Sequence, residues 1–283
     1  MQSNADIPRV TLSDGMQVPA LGLGTWKMGE SNATARREVA ALAHGLDLGL
    51  RLIDTAEMYG EGGAEEVVAR AIAGRRRTAF VVSKVYPQNA GRKGMSAACE
   101  RSLRRLAIEC IDLYLLHWRG RIPLAETVDE FERLRAAGKI RRWGVSNFDV
   151  GDMEELHALP DGHRCAANQV LYNLAERGIE WRLLDWCREH GVAVMAYSPV
   201  AQGALLTDPK LTAIARAARL TPVQLALAWV LTRPQVIAIP QSSNVAHIDD
   251  IRASAGVNLG ADVVAALDAA FPAPGRATPL AVI

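Results

Sequence analysis

Eight short apolar segments alternate with helix-like ones almost to the end of the chain, and three of those segments end in a single reactive polar group. No Pro/Gly/Ser linker or low-complexity stretch interrupts them. These observations predict an α/β fold in one domain, a (β/α)8 TIM barrel occupying residues 1–283 with an N-terminal β-hairpin. A doubly wound parallel sheet is the competing arrangement. Its dinucleotide fingerprint is incomplete, because Gly22-Leu23-Gly24-Thr25-Trp26-Lys27 lacks the last glycine.

The elements follow in order. Val10-Thr11-Leu12, a turn at Asp14-Gly15 and Met16-Gln17-Val18 form the hairpin over 10–18. Parallel strands are expected at 21–24, 51–54, 80–84, 111–117, 142–146, 166–169, 193–197 and 236–240. Between them, Ala64, Val67, Val68, Ala71 and Ile72 make an apolar stripe at helical spacing. Leu103 with Leu106, Phe131 with Leu134, and Leu183 and Leu184 with Cys187 mark further helices. Thr221-Pro222-Val223-Gln224 is a helix start: Thr caps, Pro fits the first turn and Gln completes a capping box. The run 225–231 is apolar nearly all round and is expected to be buried. The tail, 272–283, with Pro272, Pro274 and Pro279, is expected to be extended coil.

At 283 residues the chain can bury a sizeable core. Its 49% apolar and 22% charged residues are those of a soluble globular protein. A net charge of +1 argues against nucleic acid or an anionic membrane as the main partner. Arg75-Arg76-Arg77 reads as a solvated turn between a helix and a strand. Cys99, Cys110, Cys165 and Cys187 show no metal spacing and are expected to be free thiols in a reducing compartment. Residues 1–9 are polar, with no apolar core of a secretory signal, and no run reaches membrane-spanning length. The expectation is a cytoplasmic monomer.

The strand tips carry the chemistry. Leu52-Ile53 ends in Asp54, the run from Phe80 ends in Lys84, and the run from Ile111 ends in His117, while Tyr59 follows on a loop. Around one barrel mouth these four would converge. A phenol titrates near pH ~10, and a close ammonium lowers that value. Lys84 would therefore acidify Tyr59, Asp54 would hold Lys84 charged, and His117 would hydrogen-bond a carbonyl oxygen. Singly, each has a plainer explanation: Asp54 as a cap, Lys84 reaching for solvent, His117 in the core, Tyr59 packing a loop. Together they suit carbonyl reduction. No side chain donates hydride, so a nicotinamide cofactor is required. Ser146, Asn147 and Gln169 would bind its carboxamide, and Tyr197 would stack on its ring. The loop 198–208, with Gln202 and Gly203, would wrap the pyrophosphate. Ile239 through Asn244, including Gln241, Ser242 and Ser243, offers an anion site at a helix start, although these residues would equally well only cap that helix.

The residues GLGTW (22–26), IDTAEMYG (53–60), VSK (82–84), DLYLLHW (112–118), GKIRRWGVSNF (138–148), NQVLYN (168–173), AYSP (196–199) and IPQSSN (239–244) resemble the aldo-keto reductases, from the hairpin to about Phe271. The resemblance implies that Asp54, Tyr59, Lys84 and His117 act as a catalytic tetrad. It implies NADPH across the barrel mouth, with contacts from Gly24, Thr25, Trp26, Asp54, Ser146, Asn147, Gln169, Tyr197, Ser198, Pro199, Val200, Gln202, Gly203, Ile239, Gln241, Ser242, Ser243, Asn244 and His247. A small carbonyl substrate would meet Trp26, Tyr59, Tyr86, His117 and Trp118, although Trp26 also suits an ordinary core role. Many members carry Lys where Gln241 stands and Arg near His247, so NADH or dual use is open. The stretch 126–147 resembles bacterial members that reduce methylglyoxal and related 2-oxoaldehydes. Two other readings remain: a Schiff-base lyase acting through Lys84, and a barrel that senses nicotinamide nucleotides without turnover.

Overall fold

The computed structural model describes residues 6–283. Strands β1 (Arg9–Thr11) and β2 (Gln17–Pro19) form the antiparallel hairpin, with Val10 opposite Val18. Eight parallel strands follow: β3 (Leu23–Gly24), β4 (Leu52–Asp54), β5 (Phe80–Val85), β6 (Leu113–Leu116), β7 (Trp143–Ser146), β8 (Ala167–Leu171), β9 (Ala193–Tyr197) and β10 (Val236–Ala238). Each pairs with its sequence neighbour. The last meets the first through parallel bridges Leu21–Ala238 and Gly24–Gln241, so the sheet closes. Gly24 N–H donates to the Pro240 carbonyl at 2.8 Å, and a Cβ on Gly24 would stand 2.9 Å from the Ile239 carbonyl oxygen. Only glycine permits that close approach.

All eight expected strands are present, with shifted ends. The expected strand at 111–117 pairs regularly only over Leu113–Leu116, with Ile111 in an isolated bridge to Ile140. The last strand stops at Ala238, two residues before Pro240, which has no N–H for a ladder.

Among the described residues ten α-helices surround the sheet: α1 (Asn32–Asp47), α2 (Gly63–Ala71), α3 (Met95–Leu106), α4 (Leu124–Ala136), α5 (Val150–His157), α6 (Leu183–Glu189), α7 (Pro209–Ala217), α8 (Pro222–Leu231), α9 (Val245–Ser254) and α10 (Ala261–Ala270). Thr221 and Gln224 form the expected capping box of α8, whose Leu225 through Val230 are all buried. The tail beyond Phe271 is coil, as expected, but Ile283 returns to the mouth of the barrel. The arginine run lies in the expected turn between α2 and β5, with two of its members paired to carboxylates. Arg77 is exposed, whereas Arg75 pairs with Asp47 at 2.6 Å and Arg76 with Asp112 at 2.8 Å. All four cysteines are free. No helix among the described residues is long and apolar enough to cross a membrane.

Strand periodicity places the site. Ile53, Val81, Val85, Tyr114, Leu116, Val145, Val170 and Val194 pack outward against the helices. Leu52, Val82, Leu113, Leu115, Ala167, Ala193, Met195 and Ile237 fill the interior, and Val10, Leu12 and Val18 of the hairpin pack with them. Side chains alternate along a strand. The next inward positions toward the C-terminal ends are therefore Asp54, Lys84, His117, Gln169 and Tyr197, and Ser146 follows outward-facing Val145. The interior is an apolar plug topped by a polar layer.

Candidate active site

Lys84 Nζ is wholly buried and surrounded by acceptors: Asp54 Oδ2 at 2.7 Å, the Thr55 carbonyl at 3.0 Å and Tyr59 Oη at 3.1 Å. An ammonium has three protons to donate, and each has a partner. Asp54 Oδ1 accepts from Gln169 Nε2 at 2.7 Å. Tyr59 opens a short 3-10 turn, Tyr59–Gly62, whose Gly60 has φ +56°. The His117 ring stands edge-on to the Tyr59 ring, 5.8 Å between centroids. The four positions thus gather at one opening.

Charge follows burial here. Burial pushes the Tyr59 hydroxyl above its ordinary value; the Lys84 charge pulls it back and the Asp54 charge adds to the rise. The expectation that Lys84 leaves Tyr59 acidic overall is therefore corrected: in this state Lys84 only offsets part of the desolvation, and the phenol keeps its proton. Burial alone would lower Lys84, but the Asp54 carboxylate and Tyr59 outweigh it and hold the ammonium charged. Burial, helped by Lys84, drops His117 to about 2, so its imidazole is neutral. His117 Nδ1 is buried without a partner among the described residues, which leaves Nε2 as the ring nitrogen available to a ligand. A charged, fully engaged Lys84 is no nucleophile, and this removes the footing of the Schiff-base reading.

A cleft of about 430 Å³ runs from these groups across the mouth. Ser146 Oγ donates to the Gln169 carbonyl at 2.8 Å, and Asn147 Nδ2 donates to Ser146 Oγ and to the His117 carbonyl, both at 3.3 Å. Tyr197 Oη donates to Asn147 Oδ1 at 3.0 Å, and burial raises this phenol to about 12. Lys27, Asn147, Ser198 and Gln202 all hold left-handed backbone at the rim, a cost of order ~1 kcal/mol each that clusters at functional sites. Asn173 Nδ2 anchors the Ser198 carbonyl at 3.0 Å, and Asn168 Nδ2 the Phe148 carbonyl at 2.8 Å. The two asparagines of NQVLYN thus tie down the loops that frame the cleft.

The profile of the Aldo/keto reductase family matches residues 20–271. The methylglyoxal reductase YeaE of Escherichia coli is 50% identical over 279 residues, covering 97% of this chain and 98% of that protein. The glyoxal reductase of Bacillus subtilis is 36% identical over 82% of each chain. An aldo/keto reductase from Klebsiella pneumoniae, solved in complex with NADP and acetate, superposes with a TM-score of 0.96 at 49% identity, covering 98% of this chain and all of that one. The chain belongs to the aldo/keto reductase family.

In this aldo/keto reductase most of the expected site residues line the cleft: Gly24, Trp26, Asp54, Tyr59, His117, Trp118, Ser146, Asn147, Gln169, Tyr197, Ser198, Pro199, Val200, Gln202, Gly203, Ile239 and Gln241. Lys84 lies just beneath. Others stand back from it. Thr25 is buried and donates to the Asp54 carbonyl at 3.0 Å. Tyr86 reaches the rim by an edge contact with Trp118, 5.9 Å between centroids. Asn244 caps α9, accepting from Ala246 N–H at 3.0 Å; Ser242 Oγ lies 3.2 Å from His247 Nδ1; Ser243 is half-buried nearby. Leu206 and Pro240, inside the expected stretches 198–208 and 239–244, line the cleft as well, and so do Lys27, Met58 and Ile283, which the sequence did not single out. Lys27 and Met58 sit beside motif residues already singled out. Nothing local marks Ile283, which arrives through the path of the tail.

Proposed function

We propose that this aldo/keto reductase is a single-domain cytoplasmic enzyme that reduces aldehydes and ketones, 2-oxoaldehydes such as methylglyoxal among them, with NADPH. The observation that carries the reading is the contact of Tyr59 Oη with Lys84 Nζ at 3.1 Å inside the cleft, with His117 beside it. The similarity to methylglyoxal and glyoxal reductases supports the substrate class. The groove suits a nicotinamide dinucleotide: amide and hydroxyl groups of Ser146, Asn147 and Gln169 complement a carboxamide, and Tyr197 offers a flat ring beside them. The bound NADP of the Klebsiella relative supports the same assignment.

Reduced nicotinamide supplies the hydride. Tyr59 holds the proton destined for the carbonyl oxygen. Lys84 keeps a positive charge beside Tyr59 Oη, so the phenolate left behind is stabilised. Asp54 keeps Lys84 protonated and aimed. Neutral His117 donates an N–H to the carbonyl oxygen and fixes its direction. Trp26, Trp118 and Tyr86 give apolar walls, which favour a small compact carbonyl over a polyhydroxylated one.

Gln241 supplies no charge for a 2′-phosphate, and Ser242 and His247 are the polar groups nearest to it in sequence that the geometry ties together. Four free cysteines support a reducing compartment. The large exposed apolar residues outside the cleft lining, Met16, Trp181, Val245 and Val282, come from four separate stretches of the chain, which supports a monomer. The test is NADPH consumption with methylglyoxal, glyoxal and glucose, each repeated with NADH. Turnover of the 2-oxoaldehydes well above glucose is expected. NADPH binding with no turnover of any carbonyl would favour the nucleotide-sensing reading.

A further inference from the structure

Asp54 is 2% exposed and its carboxylate receives two side-chain donors, one per oxygen: Lys84 and Gln169, each at 2.7 Å. A buried carboxylate left short of donors is costly and grips its remaining partner harder. Gln169 is equally enclosed. Its carbonyl is pinned by Ser146 Oγ at 2.8 Å and Asn147 N–H at 2.9 Å. Its Nε2 also faces Met195 Sδ at 3.9 Å, a weak acceptor. Its Oε1 has no hydrogen-bond partner among the described residues, and the side chain lines the cleft beside Ser146, Asn147 and Tyr197.

We infer that Gln169 is a positioning residue that links cofactor contact to proton donation: Oε1 takes an amide N–H of the nicotinamide carboxamide while Nε2 holds Asp54 Oδ1. The inference rests on the reductase reading above. An N–H given to Oε1 polarises the amide and strengthens the bond from Nε2 to Asp54. Asp54 then draws less on Lys84, and more of the ammonium charge faces Tyr59. Tyr59 is faced by Lys84 from β5, His117 from the end of β6 and the charge of Asp54 from β4, and it acts electrostatically on Tyr197 from β9. His117 is neutral and Tyr197 protonated over the working range, so the Asp54–Lys84 pair is the part of this set that an amide contact can tune.

The test uses the whole enzyme and needs no turnover. Tyr59 ionisation is read as phenolate absorbance, taken as the difference from Tyr59→Phe, with saturating NADP+ or with its 3-acetylpyridine analogue. The two carry the same charge, but the acetyl group has no N–H. With NADP+ the midpoint is expected to lie at least about half a pH unit lower, roughly a threefold change in ionisation. Gln169→Met should erase that difference, whereas Ser146→Ala should weaken dinucleotide binding and keep it. Equal midpoints with the two dinucleotides in the unaltered enzyme would overturn the inference, even if Gln169→Met failed to fold. Saturable dinucleotide binding without carbonyl turnover would sink the reductase reading alone, because the phenolate difference is measured independently.

Discussion

At the scale of the residue, protonation is set by enclosure more than by any one neighbour. Tyr59 keeps its proton because burial outweighs the pull of Lys84, and His117 stays neutral because burial and Lys84 act in the same direction. Both groups are thus in their working forms across the ordinary range. The expected outcome is a kcat for carbonyl reduction that is flat from about pH 6 to 9 and falls only as pH approaches the raised phenol value above ~10. A limb near 6.5 would mean that His117 titrates in the site. Gln241 gives a second prediction. In the proposed binding mode Gln241→Lys places a point charge beside the 2′-phosphate, and should tighten NADPH roughly fivefold, about 1 kcal/mol, while leaving NADH unchanged. Fluorescence titration of both nucleotides checks it. Asp54, Tyr59, Lys84 and His117 were legible because each ends a strand or follows one closely, so their convergence follows from the barrel alone. The hydrogen bond from Gln169 to Asp54 was not legible: 115 positions separate the two, and no spacing rule pairs side chains across a barrel interior.

At the scale of the element, the turn carrying Tyr59 matters most. Gly60 has φ +56°, and a Cβ there would meet the Gly29 backbone at 2.9 Å. Gly60→Ala should cost about 1–3 kcal/mol of stability and lower kcat by shifting Tyr59, with NADPH affinity retained. Urea unfolding and steady-state kinetics separate the two effects. The strands were readable because an apolar run bounded by turn residues survives any register. Their ends were not, since pairing in a barrel depends on the neighbour's length: Leu113–Leu116 is shorter than its apolar run. The capping box at Thr221 and Gln224 was readable in full because both partners lie within one turn. The tail was readable as coil, but its return to the cleft at Ile283 was not, because that depends on packing rather than on local preference.

At the scale of the whole molecule, an apolar plug supports a polar layer from below, and the site inherits the rigidity of the closed sheet. The polar layer also ties stability to pH. His117 binds a proton near 6.5 when unfolded but only near about 2 when folded. Between those values the unfolded chain carries more protons, so stability rises with pH through that window and is lost as pH falls below about 6.5. The urea midpoint should drop between pH 7 and 5, and His117→Asn should flatten that drop. The central claim is that one barrel opening brings a protonated Tyr59 and a charged Lys84 to a bound carbonyl. The most direct measurement is single-turnover reduction of methylglyoxal by Tyr59→Phe, with NADPH binding followed in the same samples. The account predicts a loss of at least roughly a thousandfold in the reduction rate with NADPH affinity within about twofold of the parent. Reduction within about tenfold of the parent rate would contradict it.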